Sequence, residues 1–96
     1  MIIPELVKSP NEKYAVGLEY IAPDLEDGAT ITAVVCTLSP DDGTLKKSGV
    51  PVIDSAQVSQ VIYDGTDGTN YYVIFKTTTS EGNIFEDSIF IKVRSI

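Results

Sequence analysis

The sequence predicts an all-β protein, and three observations support this fold class. Apolar and polar residues alternate with period two along most of the chain, as they do in strands with one buried face. These segments are rich in β-branched and aromatic residues, and Gly, Pro, Asn and Asp separate them at short intervals. About seven such segments, with a turn roughly every 8 to 12 residues, predict an immunoglobulin-like antiparallel β-sandwich, and a small barrel is the alternative.

The first three strands are expected in the N-terminal part of the chain. The first spans residues 2–8 and ends at the turn sequence SPN. In the second, KYAVGLEY at residues 13–20, every second residue is large and apolar, so one face should be buried. The third, residues 30–39, is almost entirely β-branched or small, as expected inside a sandwich. Its Cys36 is the lone cysteine of the chain and is interpreted as a small buried hydrophobe.

Two strands are expected in the middle of the chain. The segment PDDGTLKKSG at residues 40–49 should be a polar loop, because it contains the turn signals Asp-Gly and Ser-Gly. Residues 50–53 then form a short strand at a sheet edge, since Pro51 has no N–H to donate to a ladder. Residues 56–63 form the next strand, whose inward face stays open between two alternating apolar sets. These sets are Val58 with Ile62 and Val61 with Tyr63.

The last two strands, residues 70–79 and 84–96, are joined by the hairpin turn SEGN and are apolar on both faces. One alternating set on each strand is expected to face the core. These sets are Tyr71, Val73 and Phe75, and Ile89, Ile91 and Val93. Tyr72, Ile74 and Phe90 then point outward and form a candidate contact patch. The alternatives are that exposed apolar side chains here have no role, or that the two faces are reversed.

The repeat DGTDGT between the fifth and sixth strands raises the question of a calcium loop. An EF-hand loop with Gly68 at its sixth position would place Tyr63, Gly65 and Ile74 at three of the four positions that need oxygen ligands. The calcium-binding nonapeptide repeat is absent too. Asp-Gly recurs between other predicted strands, where Asp caps a turn and Gly adopts positive φ. The repeat is therefore interpreted as a turn.

Composition argues against several classes of function. The 96 residues carry a formal net charge of −7 with only seven Lys plus Arg, so a basic face for nucleic acid is not expected. With no His and one Cys, the chain has neither a Ser-His or Cys-His nucleophile pair nor the ligands of an ordinary zinc site. Adjacent acids, such as those at residues 41–42 and 86–87, are expected to be solvated rather than catalytic. We therefore expect a non-enzyme without cofactors.

Length and hydropathy suggest one domain over residues 1–96 that does not cross a membrane. No apolar run approaches the roughly 18 residues of a membrane span, and MIIPELVKSP has no basic region typical of a signal peptide. A looser calcium site remains as an alternative. It would require three acids of the loop after the second strand to meet two acids of the DGTDGT repeat at one end of the sandwich. These acids are Asp24, Glu26, Asp27, Asp64 and Asp67.

The C-terminal third carries a family resemblance. It contains Gly-Thr-x-Tyr at residues 68–71, Thr-Thr-x-Ser-x-Gly at residues 77–82 and a strand with IFIKV. Together with Glu-Tyr at residues 19–20 and LEDGATI at residues 25–31, these segments resemble the small phage proteins called fiber–tail adaptor or head–tail region proteins. A tryptophan of that family would fall at Cys36, so the resemblance makes Cys36 a core position. Gly-Thr-x-Tyr also occurs in fibronectin type III domains, where the tyrosine helps to lock the sandwich.

The resemblance implies a non-catalytic structural protein of a phage or prophage virion. Its partners would be other virion proteins at the head–tail or tail–fiber junction, and copies of itself if it forms a homo-oligomer. It would be found in the virion, or in the host cytoplasm before assembly. Contacts would use Tyr72, Ile74 and Phe90, or strand addition at an exposed sheet edge. The alternative function is a β-sandwich module that binds carbohydrate or calcium.

Overall fold

The computed structural model describes residues 5–20, 29–40 and 43–95, which form seven strands and no helix. They divide into a four-stranded sheet in the order β1-β7-β6-β3 and a three-stranded sheet in the order β2-β5-β4. In chain order the strands are β1 (Glu5–Lys8), β2 (Lys13–Glu19), β3 (Ile31–Ser39), β4 (Leu45–Asp54), β5 (Gln57–Asp64), β6 (Asn70–Thr79) and β7 (Ile84–Val93). The expected all-β sandwich of about seven strands is confirmed.

One pairing departs from the antiparallel expectation. β1 runs parallel to β7, with Glu5 opposite Phe90 and Lys8 opposite Val93. The four other strand pairings among the described residues are antiparallel. The chain therefore places its first and last strands side by side, and it crosses between the sheets after β1, β2, β3 and β5. Repeated crossing between two sheets is typical of immunoglobulin-like sandwiches.

The core lies between the two sheets and is built from alternate residues of the strands. The inward sets predicted for β6 and β7 are confirmed, since all six side chains are at most 1% exposed. For β5 the structure selects Val58 and Ile62, because Val61 and Tyr63 are only half-buried on the other face. Cys36 is buried, as predicted. The buried apolar residues are Val16, Tyr20, Ile31, Cys36, Leu38, Leu45, Val58, Ile62, Tyr71, Val73, Phe75, Ile89, Ile91 and Val93.

The expected boundaries of β4 are wrong, although its edge position is right. Pairing with β5 begins already at Leu45, opposite Asp64, within the segment expected to be a loop. Ser48 and Gly49, expected to form a turn, instead open a β-bulge inside the strand: the register breaks between Ser48 and Val52, and Gly49 has φ 73°. Lysines on an edge strand stay in contact with water, so this half of β4 lacks the apolar alternation of a half-buried strand.

The DGTDGT segment is a turn, as predicted, and its backbone is hydrogen-bonded to other strands at one end of the sandwich. Asp64, Gly65 and Gly68 have φ values of 63°, 106° and 86°, a region that Gly adopts freely and Asp tolerates. Gly65 N donates to the carbonyl oxygen of Thr44 at 2.9 Å, which ties the turn to the start of β4. Gly68 N donates to the carbonyl oxygen of Val93 at 2.8 Å. β7 ends at this residue rather than continuing to the expected residue 96.

Tyr71, fully buried at the start of β6, strengthens the same end of the sandwich. Its hydroxyl lies 2.6 Å from Thr44 Oγ1 and accepts a hydrogen bond from Thr66 N at 2.9 Å. Burial raises the pKa of Tyr71, but its hydrogen bonds with threonines at this end outweigh that effect, so the pKa is lowered. A corner tyrosine that bonds to the backbone a few residues upstream is a hallmark of immunoglobulin-like sandwiches. The tyrosine of the Gly-Thr-x-Tyr motif therefore makes the hydrogen bonds typical of such a corner.

Lys8 lies beside this corner and is also fully buried. Its Nζ donates to the carbonyl oxygens of Ser9 at 2.9 Å and Asp64 at 2.6 Å. Burial lowers the pKa of Lys8, and this effect exceeds the attraction of the Glu12 and Asp64 carboxylates. The end of β1 is thus tied by a side chain to the turn that follows β5.

Candidate protein-contact surface

The three residues predicted to form a contact patch lie together on the outer face of the four-stranded sheet. Tyr72 and Phe90 are opposite each other on β6 and β7, and their rings stack with centroids 5.1 Å apart and an interplanar angle of 27°. Ile74 lies two residues along β6 from Tyr72, opposite Ser88. Tyr72 is exposed, whereas Ile74 and Phe90 are half-buried. We call Tyr72, Ile74 and Phe90 the apolar patch.

The β6–β7 hairpin holds the apolar patch in a fixed register. Gly82, at φ 82°, donates from its N to the carbonyl oxygen of Thr79 at 3.0 Å, and Thr79 N donates to the carbonyl oxygen of Asn83 at 2.9 Å. The hairpin predicted from SEGN is therefore confirmed. A slip of one residue would turn the buried side chains of both strands into solvent, so the outward direction of the patch is strongly fixed.

Balanced charges surround the apolar patch on the outer face. Lys92 Nζ lies 2.8 Å from Glu5 Oε1 and 5.9 Å from the centroid of the Phe90 ring. Lys76 and Glu86 are opposite each other on β6 and β7. The charges of these two lysines and two glutamates balance one another, whereas the whole chain carries −7. A partner can approach this face without the like-charge repulsion that the rest of the chain would impose.

A groove of about 230 Å³ adjoins the apolar patch. Tyr72 and Ile74 supply its apolar lining, and Glu86, Asp87 and Ser88 supply its polar lining. The outer face is therefore concave beside the two aromatic rings. The lining of the groove therefore combines two apolar residues with two acidic residues and a serine.

Three exposed large apolar residues of the outer face were not singled out by the sequence, and one of them, Ile84, is 59% exposed at the start of β7. Val7 on β1 is 64% exposed and lies opposite Lys92, and Val35 on β3 is 57% exposed and lies opposite Lys76. The signal for Val35 is its position next to Cys36, because neighbouring residues of a strand point to opposite faces. No comparable signal exists for Val7, since its face depends on the parallel pairing of β1.

The groups considered for catalysis or metal binding are not arranged for it in the part of the chain that is described. Glu86 and Asp87 are consecutive in β7 and point to opposite faces, and Asp87 is buried rather than solvated as expected. Burial raises the pKa of the Cys36 thiol to about 11, which leaves it protonated and unreactive near neutral pH. No group of three or more metal-binding side chains occurs among the described residues. No helix in the described ranges is long and apolar enough to cross a membrane.

Only part of the alternative calcium site lies within the described residues. Asp24, Glu26 and Asp27 lie outside the described residues. The described residue before that loop, Tyr20, bonds through its N to the carbonyl oxygen of Ala56, at the start of β5. Asp64 is the last residue of β5, and Asp67 follows the strand. Both have partners of their own: Asp64 Oδ2 lies 3.4 Å from Lys46 Nζ, and Asp67 Oδ1 accepts from Ser95 N at 2.7 Å. Tyr20 therefore lies beside the start of β5, whereas Asp64 and Asp67 lie at and beyond its end.

Comparison with known proteins identifies the group to which this sandwich is related. A family model described as podophage GP4 fiber-tail adaptor protein gp77 matches residues 8–92. The chain belongs to this family. The match spans β2 to β6 and nearly all of β7, and it includes all three residues of the apolar patch. The gp77 family is one of phage structural adaptors, which agrees with the family resemblance seen in the sequence. No curated protein matches the sequence.

Proposed function

We propose that this member of the gp77 family is a non-catalytic virion protein that docks other virion proteins through the outer face of its four-stranded sheet. The contact is centred on Tyr72, Ile74 and Phe90 and lies at the tail–fiber junction or the head–tail junction. The observation that carries the proposal is the outer face itself: stacked aromatic rings, an adjoining groove and a balanced ring of charges on a chain of net charge −7.

The composition of the outer face resembles that of protein–protein interfaces. Such interfaces have an apolar, often aromatic centre and a polar rim, and charged residues are depleted at the centre. A standard interface buries about 800 Å² on each partner. The apolar patch alone is too small for this area, so the surrounding outward residues of β1 and β3, including Val7 and Val35, would complete the contact. Ordering costs are low because paired strands fix the backbone of the face before any partner binds.

A non-catalytic role fits the chemistry of the chain. Histidine is absent from the whole sequence, and the single thiol is buried with its pKa raised to about 11. The adjacent acids Glu86 and Asp87 point to opposite faces of a strand and cannot act together on one substrate. The 96 residues would then act as one domain, present in the host cytoplasm before assembly and in the virion afterwards.

The test is binding to the tail and fiber proteins encoded in the same genome. Tyr72→Asp and Phe90→Asp each place a charge at the centre of the proposed contact and should weaken capture of one of these proteins by about tenfold or more. Ala15→Asp is the matched control, because Ala15 is exposed on β2, in the other sheet. Folding of each variant is checked by its thermal unfolding curve. Full binding by Tyr72→Asp and Phe90→Asp, with both variants folded, would remove the outer face from the mechanism.

A further inference from the structure

The free edge of β2 is the most regular sheet edge in the described part of the chain. β2 pairs with β5 over seven residues, from Lys13–Tyr63 to Glu19–Gln57, without a register shift. β2 is the outermost strand of its sheet, and no described strand pairs with its other side. The strand contains no proline. A row of unpaired backbone groups therefore runs uninterrupted along this edge.

The other sheet edges formed by the described strands are interrupted, covered or short. β4 is broken by its bulge, and Pro51 there has no N–H to offer a partner strand. β3 has a register shift after Ile31, and Lys47 Nζ donates to the carbonyl oxygen of Cys36 at 2.7 Å. β1 has only four residues. Such features protect an edge from pairing with another chain, and β2 has none of them.

One hydrogen bond shows which residues of β2 present their backbone to the free edge. Tyr20 N donates to the carbonyl oxygen of Ala56 at 2.8 Å, one step beyond the last pair of the ladder. In an antiparallel ladder, pairs that exchange hydrogen bonds alternate with pairs whose backbone groups point away from each other. The even-numbered residues of β2 therefore bond to β5, and the odd-numbered residues turn N–H and C=O to the free edge. These odd-numbered residues are Lys13, Ala15, Gly17 and Glu19.

A depression in the surface lies beside these backbone groups. Its volume is about 290 Å³, and its lining residues come from β2 and β5. Gly17 leaves this space open because it has no side chain. A Cβ at position 17 would collide with the carbonyl oxygen of Val58, so the close approach of the two strands requires glycine here. The lining consists of Gly17, Leu18, Glu19, Gln57, Val58 and Ser59.

The depression favours a basic side chain. Glu19 Oε2 accepts from Gln57 Nε2 at 2.8 Å, and no basic side chain among the residues described forms an ion pair with it. Lys13, the one basic residue of β2, lies at the other end of the strand, 5.4 Å from the centroid of the Tyr63 ring. A Lys or Arg on an added strand opposite Gly17 would be diagonal to Glu19, within reach of a long side chain. The net charge of −7 attracts a basic segment as well.

The inner side of the same edge favours apolar side chains. Tyr14 and Leu18 point towards the core and pack against it, but they are only half-buried. An added strand would place its own inward side chains beside them, because side chains of neighbouring strands share a face. Apolar residues at these positions would extend the core between the sheets and remove more of Tyr14 and Leu18 from water.

We propose that β2 is a strand-addition site, at which an extended segment of another virion protein pairs as a fourth strand of the three-stranded sheet. The segment is basic opposite Gly17 and apolar opposite Tyr14 and Leu18. In this mode of recognition, main-chain hydrogen bonds supply affinity and the depression supplies specificity. The inference rests on the proposed function only for the class of partner. It adds a second docking site, on the sheet that the apolar patch does not use.

The test uses overlapping synthetic peptides that tile the tail and fiber proteins encoded in the same genome. Fluorescence polarisation with the full chain should select peptides in which apolar residues alternate with polar ones and a Lys or Arg is present. Hydrogen exchange followed by NMR should then show slower exchange at the odd-numbered amides of β2 when a selected peptide is bound. The amides of β6 and β7 should be unchanged.

A matched pair of variants at Ala15 separates backbone pairing from side-chain contact. Ala15→Pro removes one N–H from the free edge and keeps the hydrogen bonds to β5, so peptide affinity should fall about tenfold or more. Ala15→Thr keeps the N–H and should bind like the wild type. Glu19→Gln should weaken binding of the basic peptides about threefold or more, and less at high salt. Thermal unfolding checks each fold, and Lys13→Pro replaces Ala15→Pro if that variant does not fold.

Three results would overturn the inference. The first is that no peptide binds, and the second is that Ala15→Pro and Ala15→Thr bind equally well. The third is protection of the same amides that grows with protein concentration in the absence of peptide, because a second copy would then occupy the edge. The proposed function is decided separately by Tyr72→Asp and Phe90→Asp. Loss of capture by those variants preserves it whatever the peptides show.

Discussion

Replacing Tyr71 with Phe removes one oxygen atom and leaves the aromatic ring in the core. The sandwich loses the hydrogen bond with Thr44 Oγ1 at 2.6 Å and the one donated by Thr66 N at 2.9 Å. A typical intramolecular hydrogen bond contributes about 0.5–1.5 kcal/mol to stability, so two give about 1–3 kcal/mol. For a domain of this size each kcal/mol corresponds to roughly 4–8 °C in Tm. We expect Tyr71→Phe to lower Tm by roughly 4–24 °C.

The assay is urea unfolding followed by circular dichroism, with Tm from calorimetry. Tyr72→Phe is the matched control: it is the next residue on β6, it is exposed, and its hydroxyl has no hydrogen-bond partner among the residues described. We expect the control to change the free energy of unfolding by less than about 0.5 kcal/mol. A double-mutant cycle with Thr44→Val isolates the Tyr71–Thr44 pair, for which we expect a coupling of about 0.5–1.5 kcal/mol.

The reasoning is refuted if Tyr71→Phe and Tyr72→Phe unfold at the same urea concentration with the same slope. The corner hydroxyl would then add nothing to stability, and burial of the ring alone would explain the position of Tyr71. A large loss with no coupling to Thr44 would leave Thr66 N as the partner that matters.

Burial raises the pKa of the Cys36 thiol from 9.0 to about 11. The wild-type protein should therefore lose stability relative to Cys36→Ala between pH 9 and 11, and the loss should reach about 2 kcal/mol at pH 11. A pH-independent difference in urea unfolding would contradict this. The pH dependence of stability has the opposite sign for Lys8, because burial lowers its pKa. Relative to Lys8→Met, the wild-type protein should gain stability as the pH rises towards 10.5. A stability difference that does not change with pH would show that burial does not destabilise the charged ammonium. Gly65→Ala should lower the free energy of unfolding by about 1 kcal/mol or more beyond the loss caused by Gly68→Ala. A Cβ at position 65 would lie 2.9 Å from Val93 Cγ2, whereas no atom lies within 4 Å of a Cβ at position 68. Equal losses would mean that the positive φ alone sets the cost.

The strands that could be predicted well are those with one buried and one solvated face. β6 is observed at the predicted residues 70–79, because alternate side chains there meet the core and water in turn. β4 could not be bounded in the same way. Its Leu45–Ser48 half is an edge segment rich in lysine, and its bulge interrupts the alternation that sequence analysis depends on. The parallel pairing of β1 with β7 is a matter of topology, which no local pattern in a four-residue strand specifies.

The outward orientation of the apolar patch could be predicted from the sequence, but the shape of the surface around it could not. Alternation with fully buried neighbours fixes Tyr72, Ile74 and Phe90 as outward-pointing. The groove beside them and the approach of Val7 and Val35 require the order of four strands, which the sequence does not state. The exposed position of Val50 could not be predicted for a related reason. The sequence predicts Val50 within a short strand, and only the pairing of its neighbours with β5 shows that it lies in a bulge at the sheet edge.

Because β1 and β7 lie side by side and run in the same direction, a pull on the chain before β1 and after β7 draws the two strands past each other. Their backbone hydrogen bonds then lie across the line of force, and the four residue pairs from Glu5–Phe90 to Lys8–Val93 bear the load together. A hairpin pulled at its open end would instead release its bonds one after another. The buried Lys8 ammonium adds a further attachment at the other end of β1, where its Nζ donates to the carbonyl oxygens of Ser9 and Asp64. Tension along this axis therefore shears the β1–β7 ladder instead of opening it one pair at a time.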